Sequence, residues 1–308
     1  MALRSLGAVE LPPHRKEGGF DHAAVHEPTG RIYVAHTAND AVDIIDVQAR
    51  KYVGSIGNLA AVAGALVTSS PDLIISSNRG ENTVAIVSPD DIATVDKIAV
   101  GVRPNGLAHD SGRARLLVAH VGEPSLPGSC TVAIADVRAR KIVADIPMPG
   151  RTRWTVYDHV ADVFHVNIAD PPCIVVVDAR EPHRVRREVP IPHAGPHGLD
   201  IDVARRRLFS ACDAGIVLEL DADDGTVLGA EAIAGGPDVV FFNPGLRRLY
   251  VAIGDPGVLQ VFDTSPLRHH ETVLTEPGAH TLSFDATRNI VCAFLSRTHR
   301  AAVYEDRP

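Results

Sequence analysis

His22 to His36 reads HAAVHEPTGRIYVAH: a short apolar strand, a turn carrying Pro and Gly, and a second apolar strand. The same plan returns along the chain. NGLAHDSGRARLLVAH begins at Asn105, RWTVYDHVADVFHVN at Arg153 and HGLDIDVARRRLFSAC at His197. DVVFFNPGLRRLYVAI begins at Asp238 and HTLSFDATRNIVCAF at His280, with a degenerate copy, AGALVTSSPDLIISS, at Ala63. The starts at 22, 63, 105, 153, 197, 238 and 280 lie 41, 42, 48, 44, 41 and 42 residues apart. Each phrase is followed by a third strand ending near Asp, such as AVDIIDV or TVAIADV, and by a fourth, such as KYVGSI or KIVADIPM. Four strands in a period of about 40–50 residues is the pattern of a β-propeller blade. The expected fold class is therefore all-β, a seven-bladed β-propeller over residues 1–308 with no internal domain boundary.

Closure of the ring can be read from the ends. The 29 residues from His280 onward supply only three strands. SLGAVELP, at 5–12, has strand character and is expected to complete blade seven, so that no sheet edge is left open.

Composition agrees. The chain is 45% hydrophobic, mostly Val, Ile, Leu and Ala, with 25 Gly and 22 Pro spread as turns. β-Branched residues favour extended backbone. A formal charge of -8 argues against nucleic acid as a partner, because a phosphate backbone calls for clustered Lys and Arg. Arg205-Arg206-Arg207 and Arg247-Arg248 fall at tight turns and read as solvated. The N-terminus lacks an apolar core of signal-peptide length, and the apolar run from Leu59 to Val67 is too short to cross a bilayer. A cytoplasmic protein with no membrane partner is expected. Cys130, Cys173, Cys212 and Cys292 form no CxxC pair and read as free thiols, Cys212 as a small buried residue.

Function is sought where the copies disagree. The first strand of each blade is expected to line the central channel from its upper mouth, where the second strand ends. The first position reads His22, Ala63, Asn105, Arg153, His197, Asp238 and His280. The second reads His36, Ser77, His120, Asn167, Cys212, Ile253 and Phe294. Blades five, six, seven and one are consecutive around the ring, so His197, Asp238, His280 and His22 form one arc. Three imidazoles and a carboxylate suit a divalent ion, Zn, Fe, Mn, Ni or Mg, with coordination positions left for water or substrate. A mouth lined by histidines that hold only water is the alternative. His36 and His120 are candidate proton-transfer residues. Arg153 is a candidate clamp for substrate charge, and Asn105, Trp154 and Asn167 are candidate substrate contacts. Trp154 otherwise packs between blades. Asp110, Asp202, Asn243 and Asp285 recur at the strand-one turn, where they are expected to cap backbone N–H groups.

The phrases GRIYVAH, RRLYVAI and RARLLVAH resemble the YVTN-type repeats of bacterial seven-bladed propeller proteins, over nearly the whole chain. GPHGLDID around His197 and GAHTLSFD around His280 resemble the repeats of streptogramin lyase, a propeller enzyme that eliminates with a His and a divalent ion. RPNGLAHD and GPDVVFF resemble metal-binding motifs of gluconolactonase-type propellers, whose first-blade Glu is here His22, preceded by Asp21. Three histidines with an Arg also resemble the peptidylamidoglycolate lyase propeller. These resemblances imply a metal at the propeller mouth. The expected function is a metal-dependent lyase or hydrolase acting on a small carboxylate- or ester-bearing molecule. A non-enzymatic binding propeller and a His-ligated iron oxidoreductase are the alternatives. The loop VGEPSLPGSC after His120 is either a lid or a partner contact.

Overall fold

A computed structural model describes residues 2–308. Apart from one 3-10 turn at Thr37–Asn39, its regular structure is strand, arranged as seven four-stranded antiparallel sheets. Six sheets use consecutive strands. The seventh joins Thr281–Asp285, Ile290–Leu295 and Arg300–Asp306 to Leu3–Glu10, so the N-terminal strand closes the ring as expected. The chain is a seven-bladed β-propeller.

The turn chemistry expected from the repeat is present. Oδ1 of Asp110, Asp202, Asn243 and Asp285 accepts the N–H of Arg113, Arg205, Gly245 and Arg288. Such a bond fixes the turn between the first and second strands and so fixes their register. A turn residue follows in the left-handed region, as at Ala114, Arg206, Arg247 and Asn289, which reverses the chain in few residues.

The core is not central. Seven apolar layers lie between neighbouring blades, one per interface. Phe164 and Leu117 meet between blades three and four, and Phe209 and Phe242 between five and six. Phe20 and Phe294 meet between one and seven. Each buried aromatic or aliphatic side chain contributes about 1.5–3 kcal/mol. The blades therefore stabilise one another, and the lumen is left to do something other than hold the fold. Cys212 is buried in the layer between blades four and five, which pushes its thiol up to about 12. No helix among the described residues is long and apolar enough to cross a membrane.

Candidate functional site

In six blades the innermost strand loses register with its neighbour at the mouth end. The breaks fall between Phe20/Ala23, Val62/Gly64, Pro104/Leu107, Thr152/Thr155, Pro196/Gly198 and Pro237/Val240. Bulges of this kind free a side chain from the ladder and re-aim it, often beside functional sites. The residues released are Asp21, Ala63, Asn105, Arg153, His197 and Asp238. His280 stands just ahead of Thr281, where the seventh inner strand begins.

The register corrects the expectation in blade one. Phe20 pairs with His36 as Pro196 pairs with Cys212, so the residue equivalent to His197 is Asp21, not His22. His22 points one step lower. Its ring meets Trp154 of the opposite blade with centroids 4.0 Å apart, and together they plug the lumen beneath the mouth. Burial drives the His22 pKa below its ordinary value, although Asp21 and Asp238 pull it upward. Trp154 also meets Phe241 edge-on at 6.2 Å. It is the floor of the mouth rather than a wall of it.

Three expected residues do converge. His197 Nδ1 lies 2.8 Å from Asp213 Oδ1, and its Nε2 lies 3.1 Å from Asp238 Oδ1. Asp238 Oδ2 takes the second imidazole, with His280 Nδ1 at 2.6 Å. Arg153 Nη2 donates to Asp213 Oδ2 at 3.2 Å, and its Nη1 lies 3.0 Å from His197 Nε2. That Nε2 cannot serve both neighbours: as N–H it donates to Asp238, and as a bare nitrogen it accepts from Arg153. Its protonation state decides. Burial disfavours the His197 cation, but Asp238 and Asp213 outweigh burial and raise the pKa to about 9. At neutral pH His197 is therefore an imidazolium held between two carboxylates. Burial raises the Asp238 pKa, and the two imidazoles overcome it and hold the carboxyl well below its usual range. Burial disfavours the His280 cation, but the bond to Asp238 and the charges of Asp238 and Asp21 together shift its pKa upward.

Opposite this arc is a second one, of which sequence reading found only Arg153. Arg79, Arg103 and Arg151 come from the upper loops of blades two, three and four, and Arg153 from the bulged inner strand of blade four. Arg79 pairs with Asp21 at 3.1 Å and Arg103 with Glu123 at 3.5 Å. Arg151 has no ion-pair partner among the described residues. Its pKa is lowered by burial and then by Arg153, Arg103 and Arg79, so the guanidinia feel one another across the mouth. Asn105 Oδ1, Arg153 Nε and Arg79 Nε are buried without partners. The signal in the sequence was an Arg directly before a bulged inner strand, as at Arg103 and Arg151, or directly after a second strand, as at Arg79.

Three other expectations fall. His36 is fully buried, with Nδ1 on Asp43 at 2.7 Å and its ring packed on Phe20 and His14. His120 is fully buried too, with Nδ1 on Thr131 Oγ1 at 2.7 Å and Nε2 accepting from Gly101 N–H. Burial lowers its pKa to about 4. Neither reaches the mouth, so neither has a proton to exchange there. Asn167 lies one residue before the strand end that pairs like His36, and its amide donates to the carbonyls of His197 and Gly198. It braces blade four against blade five. The loop after His120 folds on itself, with Glu123 bridged to Leu126 and Ser129 Oγ on the Glu123 backbone.

The metal fares differently from its ligands. Among the described residues no group of three or more His, Cys, Asp or Glu is placed to hold an ion. The ring nitrogens facing Asp238 are taken by hydrogen bonds, and a guanidinium stands against His197 Nε2. In this arrangement the mouth residues do not fit a resident ion.

No protein-family model and no curated protein matches the chain. Among solved structures, a chain of the crystal structure of the mitotic checkpoint complex superposes with a TM-score of 0.83 at 10% identity. The match covers 99% of this chain and 92% of that one. A likeness at that identity shows the propeller fold and carries no activity. Membership of the YVTN-type, streptogramin lyase or gluconolactonase families is not shown.

One consequence of the arc is measurable. The His197 resonances should titrate with a midpoint near 9. A His pKa raised above its ordinary 6.5 stabilises the fold fully below 6.5 and loses that contribution as pH rises through about 9. In Asp238→Asn the midpoint should fall by more than about one unit, since one of two carboxylates is gone. A midpoint near 6.5 in the unaltered protein would show that the imidazole is not held this way.

Proposed function

We propose that the upper mouth binds a small carboxylate-bearing molecule against the arginine arc and that His280 moves a proton on it, in an elimination or a hydrolysis. The observation that carries this reading is an imidazole oriented by a carboxylate, His280 on Asp238 at 2.6 Å, facing four guanidinia across one opening. His280 is the more exposed of the two imidazoles in its arc, with its side chain 34% accessible against 16% for His197. Its Nδ1–H is fixed on Asp238, which leaves Nε2 to exchange a proton with a ligand. Arg151, without a partner, supplies the charge for the carboxylate, and Arg153 fixes its orientation. Asn105 Oδ1 accepts a hydrogen bond from the same ligand.

Calorimetric titration with succinate, acetate and inorganic phosphate tests the binding half. The unaltered protein should bind at least one of them, with an affinity that falls as salt rises. Arg151→Gln should weaken it about tenfold, the range of one charge-assisted hydrogen bond. No binding of any anion at low salt would remove the reading. His280→Asn should keep anion binding and lose turnover of carboxylate-bearing esters.

A second reading keeps a divalent ion at His197, Asp238 and His280, because two expected imidazole ligands converge on the one expected carboxylate. It requires Arg153 to move away and the protons on both rings to be displaced. Elemental analysis of untagged protein decides it: stoichiometric metal lost in both His197→Ala and His280→Ala favours the ion.

A further inference from the structure

Below the His22–Trp154 plug the lumen widens into a cavity of about 460 Å3. Ala24, Leu66, Val156 and Ile201 supply aliphatic wall, and none of the mouth residues Asn105, Arg153, His197, Asp238 or His280 reaches it. It is a separate compartment. Aromatic residues make up only 5% of the chain, yet Trp154, Tyr157, Phe241 and Phe284 all line this one space. None of the four is fully covered by protein.

Two carboxyls line the same space, the exposed Glu27 and the more withdrawn Asp200. Asp200 occupies the same level of blade five as Phe241 does of blade six, and Phe242 N–H donates to its Oδ2 at 2.7 Å. Ile201 N–H donates to Oδ1 at 2.8 Å. Asp200 has no ion-pair partner among the described residues. Burial raises its pKa to about 6, with only those two backbone bonds opposing. The other titratable groups lining the cavity are His22, Glu27, His109 and Tyr157, and none of them appears among the influences on Asp200. A second polar group there also lacks a partner: Thr155, 3% exposed, has its Oγ1 buried and unbonded.

We propose that this cavity is a binding site for a small alkylated ammonium cation, held by the Asp200 carboxylate and the faces of Trp154 and Phe241. A carboxylate drawn back from bulk water without an ion-pair partner is costly unless a cation joins it. Aromatic faces attract a cation through the ring quadrupole, and a quaternary ammonium has the apolar surface that such a wall accepts. An inorganic cation, or a strongly hydrated one, would forfeit its water here without recovering it. Access is from the lower face, since the plug closes the upper one.

Trp154 is the only tryptophan, so its fluorescence reports the cavity directly. The full chain is titrated with choline and with its neutral isostere 3,3-dimethylbutan-1-ol. Choline should change the emission saturably and bind at least tenfold more tightly than the isostere. Asp200→Asn should abolish that preference, and Phe241→Leu should weaken choline several-fold, both with unchanged circular dichroism. If the variants fail to fold, the unaltered protein still decides. Between pH 7.5 and pH 5 the ionised fraction of a carboxyl with pKa about 6 drops about tenfold, so choline affinity should drop about tenfold while that of the isostere holds. Equal affinity for the two probes, no saturable response to choline, or a preference that survives at pH 5 overturns the proposal.

Discussion

Removal of residues 2–11 is expected to leave no cooperatively folded propeller. The strand Leu3–Glu10 pairs with Arg300–Asp306 at seven positions. Backbone bonds from Leu11 N to His299 O, 2.8 Å, and from Arg307 N to Ala2 O, 3.1 Å, pin its two ends. It also feeds two inter-blade layers: Val9 and Leu11 enter the one between blades seven and one, and Leu3 the one between six and seven. Three such side chains are worth about 5–9 kcal/mol together, against a total stability of about 5–15 kcal/mol for a folded protein. The deletion also exposes the edge of Arg300–Asp306, an invitation to pair with other chains. Size-exclusion chromatography and a thermal melt by circular dichroism check this. A monodisperse monomer melting within about 5 °C of the intact protein would show that closure by the N-terminal strand is dispensable.

The second large effect is expected at the same seam. Asp306 is 2% exposed and accepts from Arg248 on one oxygen and from the Tyr250 hydroxyl on the other, at 2.6 Å. These bonds tie blade six to blade seven across a buried interface. Asp306→Ala leaves a buried guanidinium and a buried phenol without their acceptor. Breaking a buried pair from one side costs about 3–5 kcal/mol, more than the intact pair contributes, because the survivor stays desolvated. A fall in melting temperature on the order of 10 °C is expected. Replacing both charged partners, Arg248→Met with Asp306→Leu, should recover most of it, since an apolar pair of similar volume has no charge to strand. A double variant as unstable as the single one would mean that the seam depends on the ion pair itself.

Both effects lie where the chain closes on itself, in the inter-blade layers rather than among the mouth side chains. This is why the mouth can tolerate close like charges, as at Arg151, and a carboxylate shared by two imidazoles. The inter-blade layers hold the ring, and the residues freed by the bulges carry no packing duty. The same division makes Asp238→Asn an informative variant: it should change protonation at His197 and His280 with little effect on the apolar layers.

Legibility of the site was uneven for a definite reason. His197, Asp238, Arg153 and Asn105 could be picked out because each follows a residue paired like Phe20 with His36, and His280 because it stands just ahead of its inner strand; the phrase length preserves that spacing. His22 was set one place too far because the bulge holds two residues, Asp21 and His22, where the partner strand has only Ala35, and nothing in HAAVHEPTGRIYVAH marks which of the two is released. The same one-residue uncertainty put Asn167 at the mouth. On a strand a single step reverses the face, so it became a brace between blades. His36 and His120 did occupy the expected strand ends, but those ends are buried. A repeat shows where a strand stops and not what covers it.

The sequence by itself determined the number of blades, their order, the turn-capping acids and the N-terminal strand that closes the ring. Those follow from local periodicity, which each segment carries alone. Tertiary structure alone decided the replacement of His22 by Asp21 in the first arc, the arginine arc facing it, the His22–Trp154 plug and the cavity around Asp200. Each joins side chains from blades far apart in sequence, and their protonation depends on burial and on charges that only the closed ring brings together.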